Sequence, residues 1–177
     1  DILTLSGYHD LNATWAVLGS VVYTGWSSFQ TIQLYNVVAP SISALGVVTP
    51  VSVNNAAPQN YRDTWRAALG VNYHLNDAWM LKAGGGYDQT PTVDAFRDVR
   101  LPDADRWALS VGAHYQMKQN LGVDFGYTHL FAVNDTIINE TRTAGTAAVN
   151  VTAIAKASAD LVGLQAVWTI DPVVATK

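Results

Sequence analysis

The sequence contains no cysteine. That removes disulfide staples, thiolate metal sites and cysteine nucleophiles together, and it suits a compartment in which free thiols would oxidise. Charge is scarce too: 10 Lys plus Arg and 14 Asp plus Glu make up 14% of 177 residues, against roughly 25% in ordinary soluble domains. The formal charge of −4 comes without a Lys/Arg cluster, which argues against a nucleic-acid partner. No apolar run reaches the roughly 18 residues that a helical membrane span requires. The chain opens at Asp1 with neither an initiator Met nor a charged-then-apolar leader, as expected of a mature or truncated product. What is plentiful is amphipathic aromatic surface, six Trp and eight Tyr in a chain that is 49% hydrophobic.

The periodic signal is alternation rather than a helical stripe. In the stretch 61–75, Trp65, Leu69, Val71 and Tyr73 share one phase, and Arg66, Ala68, Gly70, Asn72 and His74 the other. Trp79, Leu81 and Tyr87 likewise oppose Lys82, Gly84 and Gly86, and Trp107, Leu109, Val111 and Tyr115 oppose Arg106, Ser110, Gly112 and His114. Seven strands are expected, at about 2–9, 14–34, 60–75, 78–88, 105–117, 120–133 and 149–170. Their connections alternate between short turns and long loops, the long ones at about 35–59, 89–104 and 134–148. Short turns at one end and long loops at the other are the layout of an outer-membrane barrel.

The aromatics sharpen this expectation. Trp15/Tyr23, Trp65/Tyr73, Trp79/Tyr87 and Trp107/Tyr115 each lie eight residues apart on the apolar phase. Eight residues at ~3.3 Å cover ~26 Å of strand, which a tilt of roughly 40° reduces to ~20 Å, within the ~25 Å apolar band that aromatic girdles flank. Indole and phenol rings settle at such interfaces because one end is apolar and the other seeks a hydrogen bond. Trp168 joins them on the last strand. Seven strands would leave two edges unpaired in lipid, at several kcal/mol per unsatisfied group, so the chain reads as residues 1–170 of a larger antiparallel barrel followed by a tail or remnant, 171–177.

Several stretches are similar to one family. Ser6-Gly7-Tyr8, Trp15-Ala16, the run from Tyr23 through Thr24-Gly25-Trp26-Ser27-Ser28-Phe29 to Gln30, the run from Tyr61-Arg62-Asp63-Thr64 to Gly70, Tyr87-Asp88 with Pro91, and Leu101-Pro102-Asp103-Ala104-Asp105-Arg106 resemble, in order, the C-terminal half of FadL-type outer-membrane transporters. The resemblance implies a fourteen-stranded barrel of which these are the last seven strands, with an N-terminal hatch and a lateral wall gap belonging to the other half. It implies passive uptake of long-chain fatty acids or other hydrophobic compounds. Some members carry a lumenal basic residue just before the Tyr61–Gly70 strand, and residues 40–59 contain no Lys or Arg to match it.

The candidate ligand-binding residues point inward by parity. Arg66, Lys82 and Arg106 could clamp a carboxylate, or they could be neutralised across strands by Asp88, Asp105 and Asp124. His74 and His114 face inward two strands apart with no convincing third metal ligand, which favours lumenal hydrogen bonding. His129 falls on the outward phase near the exterior girdle. No nucleophile elbow, phosphate loop or other catalytic constellation is present, so neither catalysis nor a cofactor is expected. The loop at 35–59 is rich in aliphatics, either an apolar landing surface for substrate or lipopolysaccharide acyl chains, or a segment packed on its neighbours. The small, polar stretch 143–158 is expected to form an external hairpin arm. A hydrophobic-compound transporter is the first functional reading; an adhesin-like or scaffolding barrel acting through its loops, or a porin for polar solutes, are the alternatives.

Overall fold

A computed structural model describes residues 1–144 and 147–170. It contains eleven strands among those residues: β1 (Ile2–Asp10), β2 (Trp15–Thr24), β3 (Thr31–Ile42), β4 (Val48–Pro58), β5 (Thr64–His74), β6 (Trp79–Asp88), β7 (Arg106–Lys118), β8 (Leu121–Ala132), β9 (Thr136–Ala144), β10 (Ala147–Ala155) and β11 (Ser158–Trp168). Seven form one antiparallel sheet in the order β1-β2-β5-β6-β7-β8-β11, while β3-β4 and β9-β10 are separate two-stranded hairpins. The sheet is open, and neither β1 nor β11 has a partner on its outer edge among the described residues.

The seven-strand sheet agrees with the alternation, and several boundaries differ from it, β5 among them, which begins at Thr64 rather than near 60. The second strand stops at Thr24 instead of continuing to about 34, because a 3₁₀ turn at Trp26–Ser28 intervenes. The stretch 35–59 is almost wholly hairpin β3-β4, with a register shift between Leu34 and Val37. The connection at 134–148 contains β9, so the hairpin arm expected at 143–158 begins at Thr136 and ends at Ala155. The last strand of the sheet accordingly begins at Ser158 rather than near 149. Residues 171–177 lie outside the described residues.

Cross-strand register converts sequence phase into two chemically distinct faces. Tyr23 pairs with Trp65 and Trp15 with Tyr73 on β2 and β5, with ring centroids 5.1 and 4.6 Å apart. Tyr87 pairs with Trp107 and Trp79 with Tyr115 on β6 and β7, at 4.9 and 4.5 Å. Each contact adds about 0.5–1.5 kcal/mol beyond area burial. Between the two couples the aromatic level steps two residues toward the short-turn end: Tyr87 faces Ala67 rather than Trp65, and Trp79 lies two residues beyond Leu81, the partner of Tyr73. Two residues over two strands, at ~3.3 Å per residue and ~4.8 Å between strands, is a tilt of about 35°, the inclination strands take in barrels.

The aromatic face is not a core. Leu69 is 76% exposed and Leu164 77%, and the only buried hydrophobic residues among those described are Ala16 and Ile138. A continuous apolar sheet face left open to its surroundings is a lipid-facing or partner-facing surface. The opposite face is built of small and polar residues because strands approach too closely for more. A Cβ at Gly112 would lie 2.8 Å from the Phe125 carbonyl oxygen, and one at Gly86 would lie 2.9 Å from that of Ala67. The buried residues are instead mostly polar, including Thr90, Thr92, Arg97 and Asp98, and gather in the long-connection layer.

Candidate functional site

The small-residue face is concave. A single groove of about 610 Å³ runs along it from Leu18 on β2 to Gln165 on β11, floored by Gly70, Gly84, Gly112 and Gly126. Glycine at these positions leaves room for a bulky guest where ordinary side chains would fill the space. Lys82 and Asp124 also line the groove, and they neutralise one another: Lys82 Nζ donates to Asp124 Oδ1 at 2.9 Å. The same carboxylate oxygen meets His114 Nδ1 at 3.1 Å, while His114 Nε2 lies 3.2 Å from Gln116 Oε1. Lys82 is therefore a wall residue held in a network rather than an unengaged cation.

Three same-face rows nearer the long connections than Lys82, Arg66 pairs in register with Asp88, and Asp88 with Arg106. The carboxylate goes to one side: Arg106 Nε lies 3.3 Å from Asp88 Oδ2, and its other end reaches Asp103 at 3.5 Å. Arg66 is exposed and has no ion pair among the described residues. Two cations thus share one facing carboxylate, and the charge left over is that of Arg66. His74 shares a row with His114, but Met80 stands between them on β6, and among the described residues no three metal-capable side chains converge.

Above this row the 89–105 connection folds into a compact layer at the long-connection end of the sheet. Asp105 organises it, accepting from the Tyr87 hydroxyl (2.7 Å) and the Thr90 backbone N–H (2.8 Å), with Arg62 at 3.5 Å. Arg62 also donates from its backbone to the Pro91 carbonyl (3.0 Å) and from Nε to the Thr90 carbonyl (3.1 Å). The Thr90 hydroxyl donates to Asp103 at 2.6 Å. Arg62 was hidden from sequence reasoning by the strand expected to begin at 60. β5 begins at Thr64, so Arg62 lies two residues outside the strand, in the connection.

Two carboxylates of this layer are held below their ordinary range. For Asp63 the cause is chiefly the Tyr23 hydroxyl, with Ser27 donating its backbone N–H at 2.8 Å. Burial works to raise Asp98, but hydrogen bonds from Arg100 outweigh it and bring the net shift down. A second hollow of about 390 Å³ lies between the base of β4, the 95–100 segment and β9, lined by Phe96, Arg97, Arg100 and Glu140 among others. No sequence pattern points to it, since its walls come from three separate long connections.

Comparison with known proteins agrees with this architecture. A family model described as outer membrane protein transport protein (OMPP1/FadL/TodX) matches residues 1–169. The 47 kDa outer membrane protein of Pasteurella multocida is 30% identical over 160 residues, 90% of this chain and 32% of that protein. Outer membrane protein P1 of Haemophilus influenzae is 35% identical over 130 residues, 73% of this chain and 26% of its own length. The long-chain fatty acid transport protein of Escherichia coli is 28% identical over 126 residues, 71% of this chain and 26% of its own length. The chain therefore spans about a quarter to a third of these relatives. Among solved structures, a Pseudomonas aeruginosa FadL homologue superposes with a TM-score of 0.78 at 29% identity, covering 94% of this chain and 35% of that one.

Proposed function

The chain belongs to the OMPP1/FadL/TodX family of outer membrane transport proteins, and from that premise we propose that it supplies part of the wall of a closed barrel that passes hydrophobic compounds, most readily long-chain fatty acids, passively into the cell. Its location is the bacterial outer membrane. The aromatic face meets lipid and the acyl chains of lipopolysaccharide, the concave face meets the lumen, and the long connections lie outside the cell. The free edges of β1 and β11 are completed by the remaining strands of the barrel. No bond is made or broken in such a passage. The driving force is removal of an apolar chain from water, at about 0.8 kcal/mol per buried methylene.

Arg66 carries the fatty-acid reading. Among the described residues it is a concave-face cation without an ion pair, on the same sheet face as the glycine-floored groove, and a carboxylate needs one such donor at the end of an apolar slot. Lys82, Arg106, His74 and His114 line the same wall, where Lys82 and His114 share Asp124 and Arg106 is held by Asp88 and Asp103.

The test is uptake of a labelled long-chain fatty acid by cells lacking their own transporter and supplied with the full-length protein. Arg66→Gln is expected to cut fatty-acid uptake about tenfold, the effect of one lost hydrogen bond to a charged group, while sparing an alkane of equal length. Equal uptake of both by variant and wild type overturns the role of Arg66. Ion conductance without uptake of either compound would favour a polar-solute porin, and inactivity in both assays a scaffold acting through its loops.

A further inference from the structure

From β2 to β11 the aromatic levels of the apolar face have one gap. They step by two residues from the β2/β5 couple to the β6/β7 couple, and the same step can be carried to β8 and β11. On the short-turn side it leads from Val123, the partner of Tyr115, to Leu121 and its partner Trp168. An aromatic is present there, as the pattern requires. On the long-connection side it leads from Phe131, the partner of Trp107, to His129 and its partner Asp160. Asp160 and Trp168 repeat the eight-residue spacing of the other girdle pairs. An imidazole and a carboxylate therefore stand where the other two couples place Tyr and Trp.

These two residues form an organised cluster. Asp160 Oδ1 accepts from the Tyr127 hydroxyl at 2.7 Å and meets His129 Nδ1 at 2.6 Å. Tyr127 lies one row deeper on the same face, and the Phe131 ring packs edge-on to the imidazole at 4.2 Å between centroids. With Nδ1 turned to the carboxylate, Nε2 is the ring's remaining polar atom. Asp160 is 63% exposed, and its second oxygen has no protein donor among the described residues. The site thus presents an exposed carboxylate acceptor and an imidazole nitrogen beside an aromatic ring, at the depth where the outer-leaflet headgroups lie.

We propose that this gap in the girdle docks the sugar headgroup of an outer-leaflet glycolipid, lipopolysaccharide in this membrane. Phosphates are acceptors only and carry the charge of Asp160, so they are poor partners here. Sugar hydroxyls and amide N–H groups are donors, and a pyranose ring offers an apolar edge to Phe131. The inference rests on the outer-membrane orientation given above, with the long connections outside. It is independent of what passes through the lumen.

The experiment uses the full-length protein in lipid nanodiscs containing either a short-sugar lipopolysaccharide or phosphatidylethanolamine, with retained lipid counted by native mass spectrometry. Asp160→Leu and His129→Phe put apolar side chains on a lipid-facing surface, so both should fold, and heat-dependent gel mobility verifies that. Each is expected to lower glycolipid retention about tenfold without changing retention of phosphatidylethanolamine or fatty-acid uptake. Wild-type retention by either folded variant overturns the proposal, and so does equal retention of the two lipids by the wild type. A lower barrel-unfolding temperature in Asp160→Leu with unchanged glycolipid retention also overturns it, and would assign Asp160 to a protein partner on the neighbouring strand.

Discussion

The seven-stranded sheet and the hairpin β3-β4 are both β-structure rich in aliphatic residues, yet they solve opposite problems. Each strand of the sheet has one apolar and one small or polar face. The hairpin has no such division: Leu34, Val38, Ile42 and Val48 are exposed together with Val37 and Val51, and no charged residue occurs between Asp10 and Arg62. Membrane and lumen impose a period of two on the sheet, whereas a hairpin with the same surroundings on both sides has no reason to alternate. Alternation in this chain therefore records where two environments are divided by one strand, rather than where strands are.

The largest effect should come from reversing the polarity of the divided face. Leu69→Arg, about 2–4 kcal/mol against the barrel near the middle of the apolar band, and Trp65→Asp in the aromatic girdle should each block assembly, read as loss of the heat-modifiable band in outer-membrane fractions. The same chemistry in the hairpin, Leu45→Arg at its 91% exposed tip, should leave assembly intact. Equal damage at Leu45 and Leu69 would erase the distinction between the two regions. Next in size is Gly112→Val on the concave face, where the 2.8 Å approach to the Phe125 carbonyl oxygen leaves no space. An overpacking cost of about 1–3 kcal/mol should appear as a lower barrel-unfolding temperature.

A smaller effect belongs to the clasp at the foot of the hairpin. Asp63 is held below its ordinary range by Tyr23 and Ser27, so its contribution is complete above the unfolded carboxylate value near 3.9 and is lost as pH falls through the lowered folded value. Acidification through that window should increase proteolysis within 25–62, and Asp63→Asn should show the acid behaviour at neutral pH. Smallest of all is Ala68→Ser on the small-residue face. It is expected to lie within about ±0.5 kcal/mol, measured by the same unfolding temperature.

Much of the sheet was legible because Trp–Tyr spacing, alternation and turn residues all gave the same strands. Legibility failed where only one of these cues was present. At 25–34 the turn cue of Gly25, Ser27 and Ser28 is outweighed by the strand-forming residues around it, which hides the 3₁₀ turn at Trp26–Ser28 that ends β2. At the site, parity put Arg66, Lys82, Arg106, His74 and His114 on one face, but it could not say which carboxylate each would meet. Only the geometry separates the engaged Lys82 and Arg106 from Arg66. Arg62 and Asp105 are brought together by loop folding, which has no period to read. His129 was visible on the outward phase, whereas its partner Asp160 precedes the apolar run that marks the last strand and was legible only through register.

The odd number of strands in the sheet has a consequence for assembly. Seven antiparallel strands make β1 and β11 run in the same direction, so a second copy laid edge to edge along the membrane normal would meet them in parallel. Ladders between antiparallel neighbours, the arrangement throughout this sheet, are then closed to the homodimer and open to a complement that itself has an odd number of strands. Parity thus acts as a selection rule on which strands can complete this sheet in an antiparallel ladder.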